Sequence, residues 1–214
     1  MLDITLSNII PKNISDEYVS SSSIWDKEIT FKQSQFYLIR SVSGRGKSTL
    51  INYLSGLKSD YHGFQMHNEV KCTNFDPSYW IDKRKDDIGL VNQDLKLIKE
   101  LTVFENLLLK LELTNITTFD IIDKYLIDFG IDNLKNKKCI FLSMGQQQRV
   151  AIIRSLLQPF KWLLLDEPFS HLDEKNKTNA LEIIVNKAKK QKAGIILTSL
   201  NLSDKLNLFK TFDL

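Results

Sequence analysis

The sequence of 214 residues has few cysteines, prolines and glycines, with 2, 4 and 8 respectively. Cys72 and Cys139 stand far apart, with no C-x-x-C pair and no Cys/His cluster, so neither a disulfide framework nor a zinc site is indicated. No apolar run approaches the roughly 18 residues of a membrane span, and the first residues lack the basic and apolar segments of a signal peptide. We therefore expect reduced thiols in a cytoplasmic chain that acts at a membrane only through a partner.

Charge of one sign is also lacking. The 29 Lys and Arg against 26 Asp and Glu leave a net charge of +3, which excludes an acidic disordered chain. This charge gives no argument for nucleic-acid binding, and we expect no nucleic-acid partner. Hydrophobic residues make up 43% and charged residues 26% of the chain, the balance of a globular protein with a buried core. The length predicts one large domain or a domain with an inserted subdomain.

Strand-like and helix-like segments alternate along most of the chain. The pattern is strand-like over 24–39, with a turn at Ser20 to Ser23 before it and a hairpin at 61–64 after it. Helical periodicity fills much of about 94–158, which predicts a helical subdomain inserted in an α/β core. Strands at 88–91, 162–165 and 195–198 alternate with helices at 146–158 and 174–191, which predicts a mostly parallel sheet.

A glycine-rich segment lies between the apolar run 36–39 and a helix-like stretch, 47–54. Backbone N–H groups at a helix N-terminus point at one anion, and glycines let the backbone come close. This strand, loop, helix order predicts a phosphate-binding loop for ATP, in which Lys47 reaches the β- and γ-phosphates and Ser48 ligates Mg²⁺. The predicted nucleotide-binding residues are Ser41, Val42, Ser43, Gly44, Arg45, Gly46, Lys47, Ser48 and Thr49.

Two carboxylates, Asp166 and Glu167, follow the apolar run 162–165. They are expected at the carboxyl end of a buried strand, where open α/β sheets place their ligands. Asp166 is then a predicted Mg²⁺ ligand, and Glu167 is the predicted general base that takes a proton from the attacking water. A D-E pair after apolar residues is common by itself; the phosphate loop makes it specific.

A third segment, L-S-M-G-Q-Q-Q-R at 142–149, opens the helix that runs to Gln158. Ser143 is a suitable N-cap and Gly145 allows close backbone approach, so the segment offers a second anion-binding helix terminus. Taken alone, it is better explained as an ordinary capped helix. Together with the other two segments, it resembles the signature motif L-S-G-G-Q-Q-Q-R of the ATP-binding subunits of ABC transporters.

The resemblance covers about 24–198 and implies a P-loop NTPase core with an N-terminal antiparallel β portion and one ABC-type domain over 1–214. It implies that Gln93 contacts Mg²⁺ and catalytic water, and that Asp173 lies at a dimer interface. Ser143, Met144, Gly145 and Gln146 are implied to act on the ATP of a second subunit, identical or paralogous. A membrane-spanning permease is the implied partner, which would hold the chain on the inner face of the membrane. The motif spacing looks most like the lipoprotein-releasing, macrolide-export and cell-division branch.

Three positions depart from the family pattern. Ser41 replaces a phosphate-loop glycine and would strain the turn if its φ were positive. Met144 replaces the first glycine of the signature pair, and Ser199 stands where the family has its switch histidine. A polar group at the γ-phosphate contributes about 10²–10⁴-fold in rate, so we expect slow ATP hydrolysis in which Glu167, Lys47, Gln93 and Ser199 act. The alternative is a regulatory switch subunit that binds ATP with little or no hydrolysis.

The sequence leaves other properties open. In this family an aromatic residue some way before the phosphate loop stacks on adenine. The matching place here is occupied by Asn13 and Ile14, and Tyr18 lies slightly off it, so no adenine-stacking residue is assigned. In this family the permease selects the substrate, so neither the substrate nor the direction of transport follows from this chain. A cassette protein of DNA repair or of the ribosome is the third class considered, and the short length argues against it.

Overall fold

A computed structural model describes residues 1–72, 77–113, 120–200 and 207–214. The strands are β1 (Ile4–Pro11), β2 (Glu28–Phe31), β3 (Phe36–Arg40), β4 (Tyr61–His67), β5 (Val70–Lys71), β6 (Ile88–Val91), β7 (Trp162–Asp166), β8 (Gly194–Ser199) and β9 (Phe209–Asp213). The helices are α1 (Asp16–Ser21), α2 (Lys47–Leu54), α3 (Pro77–Asp82), α4 (Val103–Glu112), α5 (Asp120–Asp128), α6 (Met144–Leu156) and α7 (Glu174–Gln191). None of the helices in these ranges has both the length and the apolar character of a membrane span.

The strands form two sheets. A five-stranded parallel sheet has the order β6-β7-β8-β3-β9, and a four-stranded antiparallel sheet has the order β2-β1-β4-β5. The predicted parallel core and the antiparallel N-terminal portion are therefore confirmed. Because all five strands of the large sheet run the same way, the segments that follow β3, β6, β7 and β8 meet at one edge.

Two apolar cores cover the faces of the parallel sheet, and the period of two along each strand divides its side chains between them. Phe36 and Leu38 of β3 pack with α4 to α7, whereas Tyr37 and Ile39 pack with α2 and the antiparallel sheet. Helices α4, α5 and α6 lie inside the span 94–158, and the division of that span as an inserted subdomain stays a prediction. Phe119, whose spacing in the sequence fits the helical periodicity of this span, lies outside the described residues.

Two local predictions were wrong. The serine-rich stretch at Ser20 and Ser21 is not a turn between strands, because it ends the short helix α1, whose first turn carries two acidic residues. The segment 61–64 is not a hairpin, because it lies inside β4. Gly63 is required there by a close approach of main chains, since a Cβ would lie 2.2 Å from the carbonyl oxygen of Asn8 in the bulge of β1. The chain reverses later, at 68–69, where both residues have positive φ.

The region 24–39 also differs from its prediction. It is not one strand but two, β2 and β3, separated by a turn in which Ser34 has a φ of +70°. The last strand of the sheet is β9, which the sequence pattern did not reveal. It pairs in parallel with β3 and covers an edge of the sheet that would otherwise be open.

Candidate functional site

The loop between β3 and α2 has the conformation that its glycines permit. Gly44 and Gly46 have φ of +86° and +100°. At Gly46 a Cβ would also lie 2.4 Å from the Ile14 side chain and 3.1 Å from Trp25. Ser41 does not have a positive φ, so its β-carbon does not strain the turn. Helix α2 begins without a side-chain cap, which leaves its first N–H groups facing the loop as donors for an anion.

Lys47 lies almost fully buried at the start of α2. Its Nζ donates to the carbonyl oxygens of Ser41 (2.8 Å) and Val42 (3.0 Å). The same Nζ lies 3.3 Å from Glu167 Oε1, in an ion pair whose side chains are 5% and 12% exposed. Two hydrogen bonds and one ion pair thus hold the ammonium, and the ion pair joins the phosphate-type loop to the carboxylate after β7.

Oxygen ligands converge beside this pair. Ser48 Oγ donates to Gln93 Oε1 (3.3 Å), and Asp166 ends strand β7. These three side chains line one open cleft of about 770 Å³. A hydroxyl, an amide oxygen and a carboxylate are the donors that a hard cation such as Mg²⁺ takes, so the residues predicted as metal ligands fit that ion.

Asp166 and Glu167 are both oriented by Thr198, which is fully buried at the end of β8. Thr198 Oγ1 donates to Asp166 Oδ1 (2.8 Å) and accepts from the Glu167 N–H (3.1 Å). Burial raises the pKa of Asp166, while the hydrogen bond from Thr198 opposes that rise. The sequence analysis missed Thr198, although the pairing of parallel strands places it directly beside Asp166.

Glu167 has a left-handed backbone, with a φ of +48°, which is uncommon for a residue other than glycine. Its carboxylate faces Lys47, and it lines a cavity of about 310 Å³ together with Ser199. The predicted base and the residue at the switch-histidine position therefore border the same space. Ser199 also lies next to the phosphate-type loop, because its carbonyl accepts a hydrogen bond from the Ser41 N–H.

The segment 142–149 is a capped helix start, as its sequence predicts. Ser143 caps α6 and forms a reciprocal capping box with Gln146. Met144 is 48% exposed and lines a second cleft, of about 390 Å³, with Ser143, Gly145 and Asp173. In the part of the chain that the structure describes, this cleft shares no lining residue with the Ser48 cleft. The two halves of the predicted site are therefore separate within one chain.

The sequence profile of the ABC transporter family matches residues 26–170, which span the phosphate-type loop, Gln93, the capped start of α6 and Glu167. The chain belongs to the ABC transporter family. ABC ATP-binding proteins are ATPases, the enzyme class that the sequence predicts.

Two curated relatives of the chain are named as ATP-binding proteins. The chain is 34% identical over 171 residues to an Fe(3+) ions import ATP-binding protein of Fusobacterium nucleatum, covering 78% of this chain and 44% of the relative. It is 32% identical to a tungstate uptake system ATP-binding protein of Peptoclostridium acidaminophilum, covering 88% and 85%. The chain thus spans under half the length of the iron-import relative. The dimeric structure of the bacterial ABC transporter cassette MJ0796 matches at 25% identity with a TM-score of 0.77, over 98% and 94% of the two chains.

Two further residues of this ABC cassette received no role from the sequence: Tyr18, which was weighed and left unassigned, and Gln148, which was not singled out. Tyr18, on α1, lies beside the phosphate-type loop, because the Arg45 guanidinium stands 4.8 Å from its ring centroid. Gln148, on α6, hydrogen bonds to the main chain of Glu167. An aromatic ahead of a phosphate loop was a usable signal for Tyr18; Gln148 carried none, since neighbouring glutamines at 146 and 147 look the same in sequence.

Proposed function

We propose that this cassette binds ATP with Mg²⁺ and hydrolyses it, as a dimer, to drive a membrane-spanning permease from the inner face of the membrane. The observation that carries the proposal is the convergence of Lys47, Ser48, Gln93, Asp166 and Glu167 at one edge of the parallel sheet. These are the groups that phosphoryl transfer requires: a cation and N–H donors for phosphate, oxygen ligands for a metal, and a base for water.

ATP binding uses the loop that ends at Gly46 and the first turn of α2. The polyphosphate takes Lys47 Nζ donors that now go to the loop carbonyls and to Glu167, and it accepts from the uncapped N–H groups of the helix. Lys47 is buried, so its charge acts on the phosphates with little screening by water.

Ser48, Asp166 and Gln93 hold Mg²⁺ in this proposal. The bound ion neutralises negative charge on the phosphate oxygens. Thr198 fixes the Asp166 carboxylate by its hydrogen bond to Oδ1. Gln93 lies two residues after the end of β6, so a shift of that strand would move this ligand.

Hydrolysis uses Glu167 as the general base. Its carboxylate leaves Lys47 when phosphate binds and then accepts the proton of the attacking water. Ser199 donates its hydroxyl to the γ-phosphate from the shared cavity. A hydroxyl lacks the charge of the family's histidine, so the step is slow but present.

Dimerisation completes each site in this proposal. One chain carries the phosphate-binding cleft and the signature cleft on different lining residues, and two copies related head to tail bring one of each together. The partner's signature segment, 143–146, then faces the phosphates, and Asp173 lies at the interface. The dimeric MJ0796 cassette supports this arrangement as a likeness of fold.

A groove of about 370 Å³ beside the nucleotide cleft fits the permease. It carries exposed apolar side chains, Leu109 and Leu113, beside the basic side chains of Lys110 and Arg154. That chemistry suits an amphipathic segment with acidic residues. The groove shares Leu90, Asn92 and Lys96 with the Ser48 cleft, so its occupant would touch the segment that carries Gln93.

We also propose the lipoprotein-releasing, macrolide-export and cell-division branch for this cassette. The spacing from Lys47 to Ser143 supports it. The two curated relatives described above are named for import and uptake, so the identity of the membrane partner decides the branch. A neighbouring gene for a permease with a large extracytoplasmic domain would support the branch, and one for an import permease would contradict it.

A regulatory switch is the second candidate function. Ser199 and Met144 favour it, because the first removes the family's histidine and the second adds a side chain near the partner's γ-phosphate. In that case the chain would dimerise on ATP and scarcely hydrolyse it.

ATP turnover by the purified chain, alone and with its co-purified membrane partner, tests the proposed function. We expect Mg²⁺-dependent phosphate release that the partner stimulates, together with an ATP-dependent dimer in size-exclusion chromatography. A dimer without phosphate release would establish the switch. Absence of ATP binding would contradict both functions.

Restoring the histidine tests the role of position 199. We expect Ser199→His to raise turnover by about 10²-fold, because a charged donor replaces a hydroxyl at the γ-phosphate, and Ser199→Ala to lower it about 5-fold. Phosphate release at saturating ATP measures both. Equal turnover in wild type, Ser199→His and Ser199→Ala would contradict the prediction.

Removing the Thr198 hydroxyl tests the metal ligands. We expect Thr198→Val, which keeps the shape, to raise the Mg²⁺ concentration for half-maximal turnover by about 10-fold, because a hydrogen bond to a charged group contributes about 1.5–3 kcal/mol. Thr178→Val, on the exposed face of α7, is the matched control. Equal Mg²⁺ requirements in the two variants would show that Thr198 does not orient Asp166.

A further inference from the structure

Gln148 is a buried amide, 2% exposed, one turn after the start of α6. Its Nε2 donates to the Glu167 carbonyl (3.0 Å) and to Ser170 Oγ (3.1 Å), and its Oε1 accepts from the His171 N–H (2.9 Å). All three partners lie on the loop 167–173, which joins β7 to α7. The amide nitrogen and the amide oxygen of Gln148 therefore both bind the same loop.

The same face of α6 contacts that loop a second time. A Cβ at Gly145, three residues before Gln148, would lie 2.6 Å from the His171 carbonyl oxygen. Residues three apart on a helix lie on one face, so the start of α6 is fixed to the loop at two points. Gly145 is thus needed for packing within this chain, whatever it contacts in a partner.

Glu167 begins this loop in a strained conformation. A non-glycine residue with positive φ persists only where its surroundings fix it. Here the N–H of Glu167 donates to Thr198, and its carbonyl accepts from Gln148 and from the Ser170 N–H of the same loop. The position of the carboxylate therefore depends in part on α6, because Gln148 supplies the carbonyl's one hydrogen bond from outside this loop among those that the structure describes.

We propose that Gln148 is a positioning residue that fixes Glu167 to the signature helix, so that the base for one ATP and the signature for the partner's ATP move as one unit. The inference rests on the proposed function as a dimeric ATPase. The inference follows from what Gln148 connects. The signature segment 143–146 caps and opens α6, and the loop that Gln148 holds begins with Glu167 and ends at Asp173. A shift of α6 on dimer closure is transmitted to Glu167 through hydrogen bonds of about 3 Å.

Gln148→Met keeps the length of the side chain and removes all three hydrogen bonds. We expect kcat for ATP to fall by about 10–100-fold while KM stays within about 3-fold, because misplacement of a reacting group costs rate without changing phosphate contacts. Gln158→Met is the matched control. Gln158 is fully buried on the segment that follows α6 and donates to the Ile88 carbonyl (2.7 Å), away from the loop. Gln158→Met should lower the melting temperature about as much as Gln148→Met does, and it should leave kcat within about 3-fold of wild type.

Hydrogen exchange of the amides at 169–173, measured on the chain without nucleotide, is the second readout. We expect this segment to exchange at least 10-fold faster in Gln148→Met than in wild type, with no change there in Gln158→Met. Unchanged exchange in Gln148→Met, or an equal kcat loss in both variants, would overturn the inference. If wild type releases no phosphate, the proposed function fails, while exchange still decides whether Gln148 fixes the loop.

Discussion

Glu167→Gln should lower ATP turnover by about 10³-fold and leave ATP binding in place. The amide keeps the shape of the side chain but cannot accept the proton of the attacking water, and a positioned base contributes about 10²–10⁴-fold in rate. The substitution also removes the ion pair with Lys47, which frees the ammonium for phosphate. We therefore expect ATP affinity to stay equal or rise, and the ATP-bound dimer to accumulate.

Phosphate release under saturating ATP measures the rate, and size-exclusion chromatography with ATP measures the dimer. Glu182→Gln, which makes the same charge change on the exposed face of α7, is the matched control. Turnover of Glu167→Gln within 3-fold of the Glu182→Gln control would show that another group is the base. That result would also remove the catalytic argument for the left-handed backbone at this position.

Lys47→Ala is expected to weaken ATP binding by at least about 10²-fold. Each charge-assisted hydrogen bond contributes about 1.5–3 kcal/mol, and a factor of ten in affinity corresponds to about 1.4 kcal/mol. Loss of two such bonds to phosphate is sufficient for the expected effect. Titration with a fluorescent ATP analogue measures the affinity, and the exposed Lys189→Ala is the matched control.

The same substitution leaves the Ser41 and Val42 carbonyls and the Glu167 carboxylate without the Lys47 ammonium. A measurement of the melting temperature therefore accompanies the titration, and Lys47→Arg, which keeps the charge, separates folding from binding. If Lys47→Ala melts like wild type and binds ATP with wild-type affinity, the phosphates of ATP do not bind at Lys47.

The two variants test different steps. In the proposed function, Lys47 acts on binding because its charge is buried among the loop carbonyls, whereas Glu167 acts on the chemical step because its carboxylate borders the cavity shared with Ser199. A Mg²⁺-ATPase requires that both variants lose turnover and that only Lys47→Ala loses affinity for ATP. Loss of affinity in both would mean that the Lys47–Glu167 pair is structural.

Three sequence motifs predicted their own backbone structure, because each depends on geometry within a few residues. A glycine loop before a helix, a D-E pair after an apolar strand and a serine-capped helix each specify their own backbone within a few residues. The structure has Ser143 as the N-cap of α6 and Asp173 as the N-cap of α7, which short-range hydrogen bonds determine. The same local logic failed at Gly63, where the reason for glycine was a contact with a distant strand.

The sequence by itself determined the family, the parallel core and the identity of the groups at the sheet edge, because strand period and helix caps are properties of neighbouring residues. Only the tertiary structure decided that Ser41 is unstrained, that Thr198 orients Asp166 and Glu167, and that Gln148 links Glu167 to α6. These depend on backbone angles and on hydrogen bonds between residues 19 to 32 positions apart. Such partners are chosen by how the strands and helices pack, which no local pattern encodes.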